Sequence, residues 1–116
     1  MFTIHLNNLR FFSFHGVYEE EKILGNEYEV NADVTFNVAE TITELEQTVN
    51  YVNIYELIKQ RMNIPTALLE TVAQGLVHTI HTLDERITSI TVSVKKIHPP
   101  IANFRGLVGV SYKKDF

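Results

Sequence analysis

Apolar positions alternate with polar ones along two stretches near the start of the chain. Val30, Ala32, Val34, Phe36 and Val38 interleave with Asn31, Asp33, Thr35 and Asn37, the period of two expected of a strand with one wet face. Upstream, Ile4 and Leu6 share one parity while Leu9 and Phe11 share the other, which predicts one inserted residue, a bulge, at Asn7-Asn8. Phe12 and Phe14 fall on the face opposite Leu9 and Phe11, so the strand end is apolar on both faces. One face meets helices; the other calls for a subunit or a ligand. Between the two strands runs His15 to Gly25 with three consecutive acids, Glu19, Glu20 and Glu21. A tight hairpin needs no connection of that length, and long loops on rigid strands often carry function.

Helical spacing takes over in the middle of the chain. Asn53 with Glu56 three residues on predicts a capped start, and Ile54, Leu57, Ile58 and Arg61 or Met62 continue a short helix. A second helix is expected after Pro65, with Thr66 as cap and Leu69, Val72, Ala73, Leu76, Ile80 and Leu83 forming one stripe of about four turns. Strand character returns from Ile87 to Lys96, breaks at Pro99-Pro100, and closes the chain from Leu107 to Lys113. The acidic stretch Glu40 to Glu46 reads as a loop. The ββααββ order predicts an α+β fold, a four-stranded antiparallel sheet with two helices across one face. Such a sheet keeps a free face and two edges, which favours self-assembly over a monomer.

Composition narrows the chemistry. The 116 residues suit one domain, 1–116, that buries roughly two-thirds of its unfolded surface. No cysteine is present, which excludes thiol catalysis, thiolate metal sites and a disulfide framework. No apolar run approaches the roughly 18 residues of a membrane span, and the N-terminus lacks a signal-peptide layout. A soluble, cytoplasmic protein with no membrane partner is expected. The net charge of -4 is spread widely, with short basic clusters only at Lys95-Lys96 and Lys113-Lys114, which disfavours nucleic-acid binding.

Few residues then remain to carry chemistry. Lys96 shares its parity with Ile90, Val92 and Val94 and so points to the apolar side, where desolvation favours the neutral amine of a base. The same position suits a lysine that snorkels to the rim. Glu70, in the first turn of the second helix, either complements the helix dipole or holds a carboxylate at a pocket edge for a ligand with two adjacent N–H donors. Tyr51 fits a core ring with a wet hydroxyl as well as a proton donor. His78 and His81 are spaced i, i+3 on the polar side of their helix without an evident third ligand, so no metal site is expected. His98 reads as structural, and His15 as a strand end. There is no glycine-rich phosphate loop, no G-x-S-x-G and no H-E-x-x-H, so hydride transfer, phosphoryl transfer and triad hydrolysis lack support.

Five segments, taken in order, resemble the dihydroneopterin aldolase family. They are Leu9 to Gly16 (LRFFSFHG), Glu21 with Gly25, Thr48-Val49-Asn50-Tyr51, Leu68-Leu69-Glu70, and Lys96 with Pro99-Pro100. The resemblance implies the tunnelling fold and retro-aldol cleavage of 7,8-dihydroneopterin, without cofactor or metal, to 6-hydroxymethyl-7,8-dihydropterin and glycolaldehyde. It also implies roles. Lys96 matches the acid/base lysine, Glu70 with the Leu69 backbone the pterin anchor, Tyr51 a substrate contact and proton donor, and Glu21 a carboxylate near the side-chain hydroxyls. Sites of the family lie between subunits of a homo-oligomer, a tetramer or octamer, with the tyrosine segment coming from a neighbour.

One departure is visible. Ala102-Asn103 stands where many family members have Pro-Gly after Pro99-Pro100-Ile101. Asparagine tolerates left-handed dihedrals, so the turn is expected to survive. Two other activities fit the same resemblance. One is the sister 2'-epimerase of dihydroneopterin triphosphate, which the acidic loop disfavours. The other is a non-catalytic pterin- or purine-binding module.

Overall fold

Alternation at period two and spacing at 3.6 produce the expected elements in the computed structural model, which describes residues 1–116. In chain order they are β1 (Phe2–Ser13), α1 (Glu19–Leu24), β2 (Asn26–Phe36), a 3-10 turn at Leu45–Gln47, α2 (Tyr51–Met62), α3 (Leu69–His81), β3 (Ile87–Lys96) and β4 (Val108–Asp115). The strands form one antiparallel sheet in the order β1-β2-β3-β4. Helix α2 lies against β1, and α3 against β3 and β4. No helix is long and apolar enough to cross a membrane.

The even-numbered residues of β2, Tyr28 to Phe36, are all buried beneath the helices, facing Ile90, Val92 and Val94 of β3. Ile54, Ile58 and Met62 of α2 and Val72, Ala73, Leu76, Val77 and Ile80 of α3 close this core from above. The bulge stands where parity put it. Leu6 pairs with Ala32 and Leu9 with Val30, so Asn7 and Asn8 together oppose Asn31. Asn8 takes up a left-handed φ of 59°, which asparagine adopts more readily than most residues.

The helix-free face is polar over most of its area, and its apolar character is confined to the end of β1, where Phe12 and Phe14 are exposed. Asn8 Nδ2 donates to Glu29 Oε1 at 2.8 Å, and Asn31 Nδ2 donates to the same oxygen at 3.4 Å. These two bonds hold the Glu29 carboxyl below its usual range. Phe12 and Phe14 are a local pair, rings 5.5 Å apart and edge-on, seated on Gly25. A Cβ at Gly25 would come within 2.5 Å of Phe12 Cε1. Glycine at the α1–β2 junction is what lets the aromatic pair close over it.

Element boundaries differ in three places. The acidic connection contains the six-residue helix α1. Helix α2 starts at Tyr51, capped by Asn50, whose Oδ1 accepts from Val52 N–H at 3.0 Å; Asn53 is already inside. Helix α3 starts at Leu69 rather than at Thr66, because Thr66 is engaged elsewhere.

Candidate active site

Lys96 is the last residue of β3 and pairs across the sheet with Tyr28 and Val108. Its inward parity sends the ammonium over the Tyr28 ring, 6.0 Å from the centroid, and into a salt bridge with Glu21 Oε2. The two side chains are 12% and 10% exposed. Lys96 is thus shielded from water as its parity predicted, and its loss of hydration is met by a carboxylate 75 residues away in sequence. Burial and the charge of Glu21 push the Tyr28 hydroxyl up to about 12, so the phenol stays a proton-bearing donor, bonded to the His15 carbonyl at 2.9 Å.

Glu21 is delivered by α1 and clamped by Gly16. A Cβ on Gly16, whose φ is 150°, would lie 2.5 Å from Glu21 Cβ and 2.7 Å from Glu21 Oε1. The carboxylate can turn toward Lys96 only because that position is glycine. Beside α1 lies a recess of about 470 Å³ lined by Phe12, Glu20, Glu21, Leu24, Gly25, Asn26, Glu27, His98 and Pro100. Its rear wall is fixed where Asn26 Nδ2 donates to the His98 carbonyl at 2.6 Å.

Leu69 and Glu70 open α3, Leu69 half-buried and Glu70 exposed. The connection leading to them is tied back to the end of β1. Thr66 N–H donates to His15 Nδ1 at 3.1 Å, and Gly16 N–H donates to the Thr66 carbonyl at 3.0 Å. The Lys96–Glu21 pair and the start of α3 therefore flank one short segment, His15-Gly16.

Tyr51 does not join them within one chain. It is 64% exposed at the first turn of α2, and the backbone just before it, Gln47 and Thr48, accepts hydrogen bonds from Arg86 at 2.9 and 3.3 Å. Arg86 precedes β3, and Lys96 ends it. At roughly 3.3 Å per residue the two lie about 30 Å apart, whereas the three residues from Thr48 to Tyr51 span about 10 Å at most.

His15 lies just past the last residue of β1, Ser13, and does more than end a strand. The ring is 1% exposed, packs edge-on against Tyr28 with centroids 5.2 Å apart, and is lowered to about 4 by burial, with the positive charges of Arg61 and Lys96 adding to the effect. Only the buried register of Tyr28, on the same parity as Val30, hinted at a polar layer there. Of the other histidines, His81 stacks face-on with Phe116 at 3.5 Å.

The sequence matches the family model FolB, dihydroneopterin aldolase, over residues 4–113. It is 32% identical over 104 residues to a dihydroneopterin aldolase of Bacillus subtilis (strain 168), covering 87% of each chain. A Streptococcus pyogenes dihydroneopterin aldolase is 27% identical over 117 residues, 98% of each chain. Among solved structures, E. coli dihydroneopterin aldolase in complex with neopterin has a TM-score of 0.86 at 16% identity, covering 98% of this chain and 99% of that one. The Burkholderia thailendensis dihydroneopterin aldolase bound to guanine has a TM-score of 0.75 at 16% identity, covering 98% and 90%. These two share the fold, and the match along nearly the whole sequence carries the rest: the chain belongs to the dihydroneopterin aldolase family, aldehyde-lyases of folate biosynthesis with the tunnelling fold.

Proposed function

We propose that the protein cleaves 7,8-dihydroneopterin between C1' and C2', releasing 6-hydroxymethyl-7,8-dihydropterin and glycolaldehyde. The observation that carries this reading is the shielded Lys96–Glu21 pair at the end of β3. A base removes the proton of the 2'-hydroxyl, the C1'–C2' bond breaks, and C2' leaves as the aldehyde. The electron pair passes from C1' into the adjacent C6=N5 imine as an enamine, and protonation at C1' restores the imine. Because the substrate supplies its own electron sink, the protein has to move protons and hold the ring, and needs neither a Schiff base nor a metal.

Lys96 is assigned the acid/base role and Glu21 the alignment of the side-chain hydroxyls. Glu70, with the Leu69 backbone, anchors the ring. The 2-amino group and N3–H of a pterin form an adjacent donor pair that a carboxylate accepts bidentately, and guanine, bound by the Burkholderia relative, offers the same pair. Tyr51 contacts the substrate and returns a proton. Its distance from Lys96 supports a site completed by a neighbouring copy, hence a homo-oligomer, tetramer or octamer, acting in the cytoplasm. Recombination of the two fragments on the opposite face of the aldehyde would invert C2'. The triphosphate of the same pterin is disfavoured because Lys96 is already paired and α1 adds Glu19 and Glu20.

The test is glycolaldehyde release from dihydroneopterin and from its triphosphate, each with a chelator. Release from dihydroneopterin that persists in chelator, and falls by about 10²- to 10⁴-fold in Lys96→Ala, is the expected result. No release from either substrate, with Lys96→Ala indistinguishable from the parent, would leave a binding module. Preference for the triphosphate would favour the epimerase.

A further inference from the structure

His15 joins the two halves of the site. On one side its carbonyl accepts from Tyr28 O–H, and Tyr28 is the cross-strand partner of Lys96. The next residue, Gly16, is the surface against which Glu21 packs. On the other side its ring accepts from Thr66 N–H, three residues before Leu69 and four before Glu70. Thr66 is gripped again from α2, where Arg61 donates to its hydroxyl at 3.0 Å. Accepting at Nδ1 fixes the neutral tautomer with the proton on Nε2, and that Nε2 is buried without a partner. A polar ring that orphans one N–H is a poor choice for filling space, since a hydrocarbon would pack there without that loss. The Nδ1 bond is the feature a hydrocarbon cannot supply.

We infer that His15 is a positioning residue, a neutral imidazole strut that sets the start of α3, with Glu70, against the Lys96–Glu21 pair. The inference rests on the functional reading above for the roles of Glu70 and Lys96. Loss of the strut moves the ring anchor relative to the acid/base group, and errors near 1 Å in such placements cost about 10²-fold in rate. His15→Leu keeps the volume and loses the acceptor. His15→Asn puts its Oδ1 close to the former Nδ1 position and keeps it.

The experiment compares parent, His15→Leu and His15→Asn by turnover of dihydroneopterin, affinity for unsubstituted pterin, and amide exchange along Thr66 to Glu70. In His15→Leu, kcat is expected to fall about 10- to 100-fold while bare pterin, held by the α3 end alone, binds within about twofold of the parent. Amide exchange at Thr66 to Glu70 accelerates, and His15→Asn recovers most of both losses. A His15→Leu protein with parental kcat and exchange overturns the strut, as does a His15→Asn protein that falls as far as His15→Leu. Equal loss of bare-ring affinity and kcat in His15→Leu would mark a merely structural histidine and also overturn it. If the parent releases no glycolaldehyde, the functional reading fails, and the exchange comparison alone still decides whether His15 holds the start of α3.

Discussion

Removing the Glu21 charge leaves the Lys96 ammonium nearly buried against an aromatic ring with no counterion. Breaking one side of a shielded pair costs more than an exposed one, so Glu21→Gln is expected to lower stability by roughly 1–3 kcal/mol, read as a drop in the urea midpoint at unchanged slope. A change no larger than that for Glu19→Gln, whose partner Lys22 is surface-exposed, would show that the pair is effectively solvated. His15 gives a pH signature of definite sign. Its folded value of about 4 lies below the ordinary 6.5, so between those values the unfolded chain binds a proton that the folded chain refuses. The stability tied to the neutral ring is complete above pH 6.5, falls as pH drops toward 4, and levels below. The charged groups acting on the ring are Arg61 and Lys96, both of which add to the effect of burial. The stability gap between parent and His15→Asn should therefore narrow from pH 7 to 4, and a constant gap would contradict the assignment. The inward face of Lys96 was legible in the sequence because parity alone sets it. The burial of His15 was not, because its partner Thr66 is 51 residues away, and nothing local distinguishes a buried imidazole from a wet one at a strand end.

Helix starts show how far local rules reach. Asn50 caps α2, and Asn50→Ala should cost about 1 kcal/mol in thermal or urea unfolding, whereas Asn53→Ala, inside the helix, should be close to neutral. Two asparagines three residues apart both satisfy a capping pattern, so spacing alone could not choose between them. Thr66 satisfied the same pattern and lost its place to tertiary bonds with His15, Gly16 and Arg61. Helix α1 escaped notice because six residues show no helical period. Its placement nonetheless depends on Gly16. Gly16→Ala would put a methyl 2.5 Å from Glu21 Cβ, and the resulting shift of Glu21 from Lys96 should lower kcat at least tenfold with α2 and α3 intact by circular dichroism. Parental activity in Gly16→Ala would mean that the contact yields without consequence.

At the scale of the whole molecule, the ββααββ succession and the layering of helices on one face followed from alternation and helical stripes, and both are as expected, whereas the order of strands within the sheet, β1-β2-β3-β4, came only with the structure. Which surface completes the site did not follow, because Tyr51 and Lys96 are held toward opposite ends of β3. If each site takes Lys96 from one copy and Tyr51 from the next, two inactive variants should rescue one another. Lys96→Ala and Tyr51→Ala, unfolded together at equal amounts and refolded, are expected to regain activity at about a quarter of the sites, the random share holding both native residues. No recovery above the sum of the separate variants would place the whole site within a single copy. The sheet order also has a consequence for assembly. Its two open edges, β1 and β4, are different strands, so copies that extend the sheet by pairing β1 of one with β4 of the next join head to tail and share no twofold axis across that contact. Growth of that kind stops only when the turn per copy divides a full circle. Strand twist, a property of each chain, would then decide between a closed ring of fixed number and an open fibre.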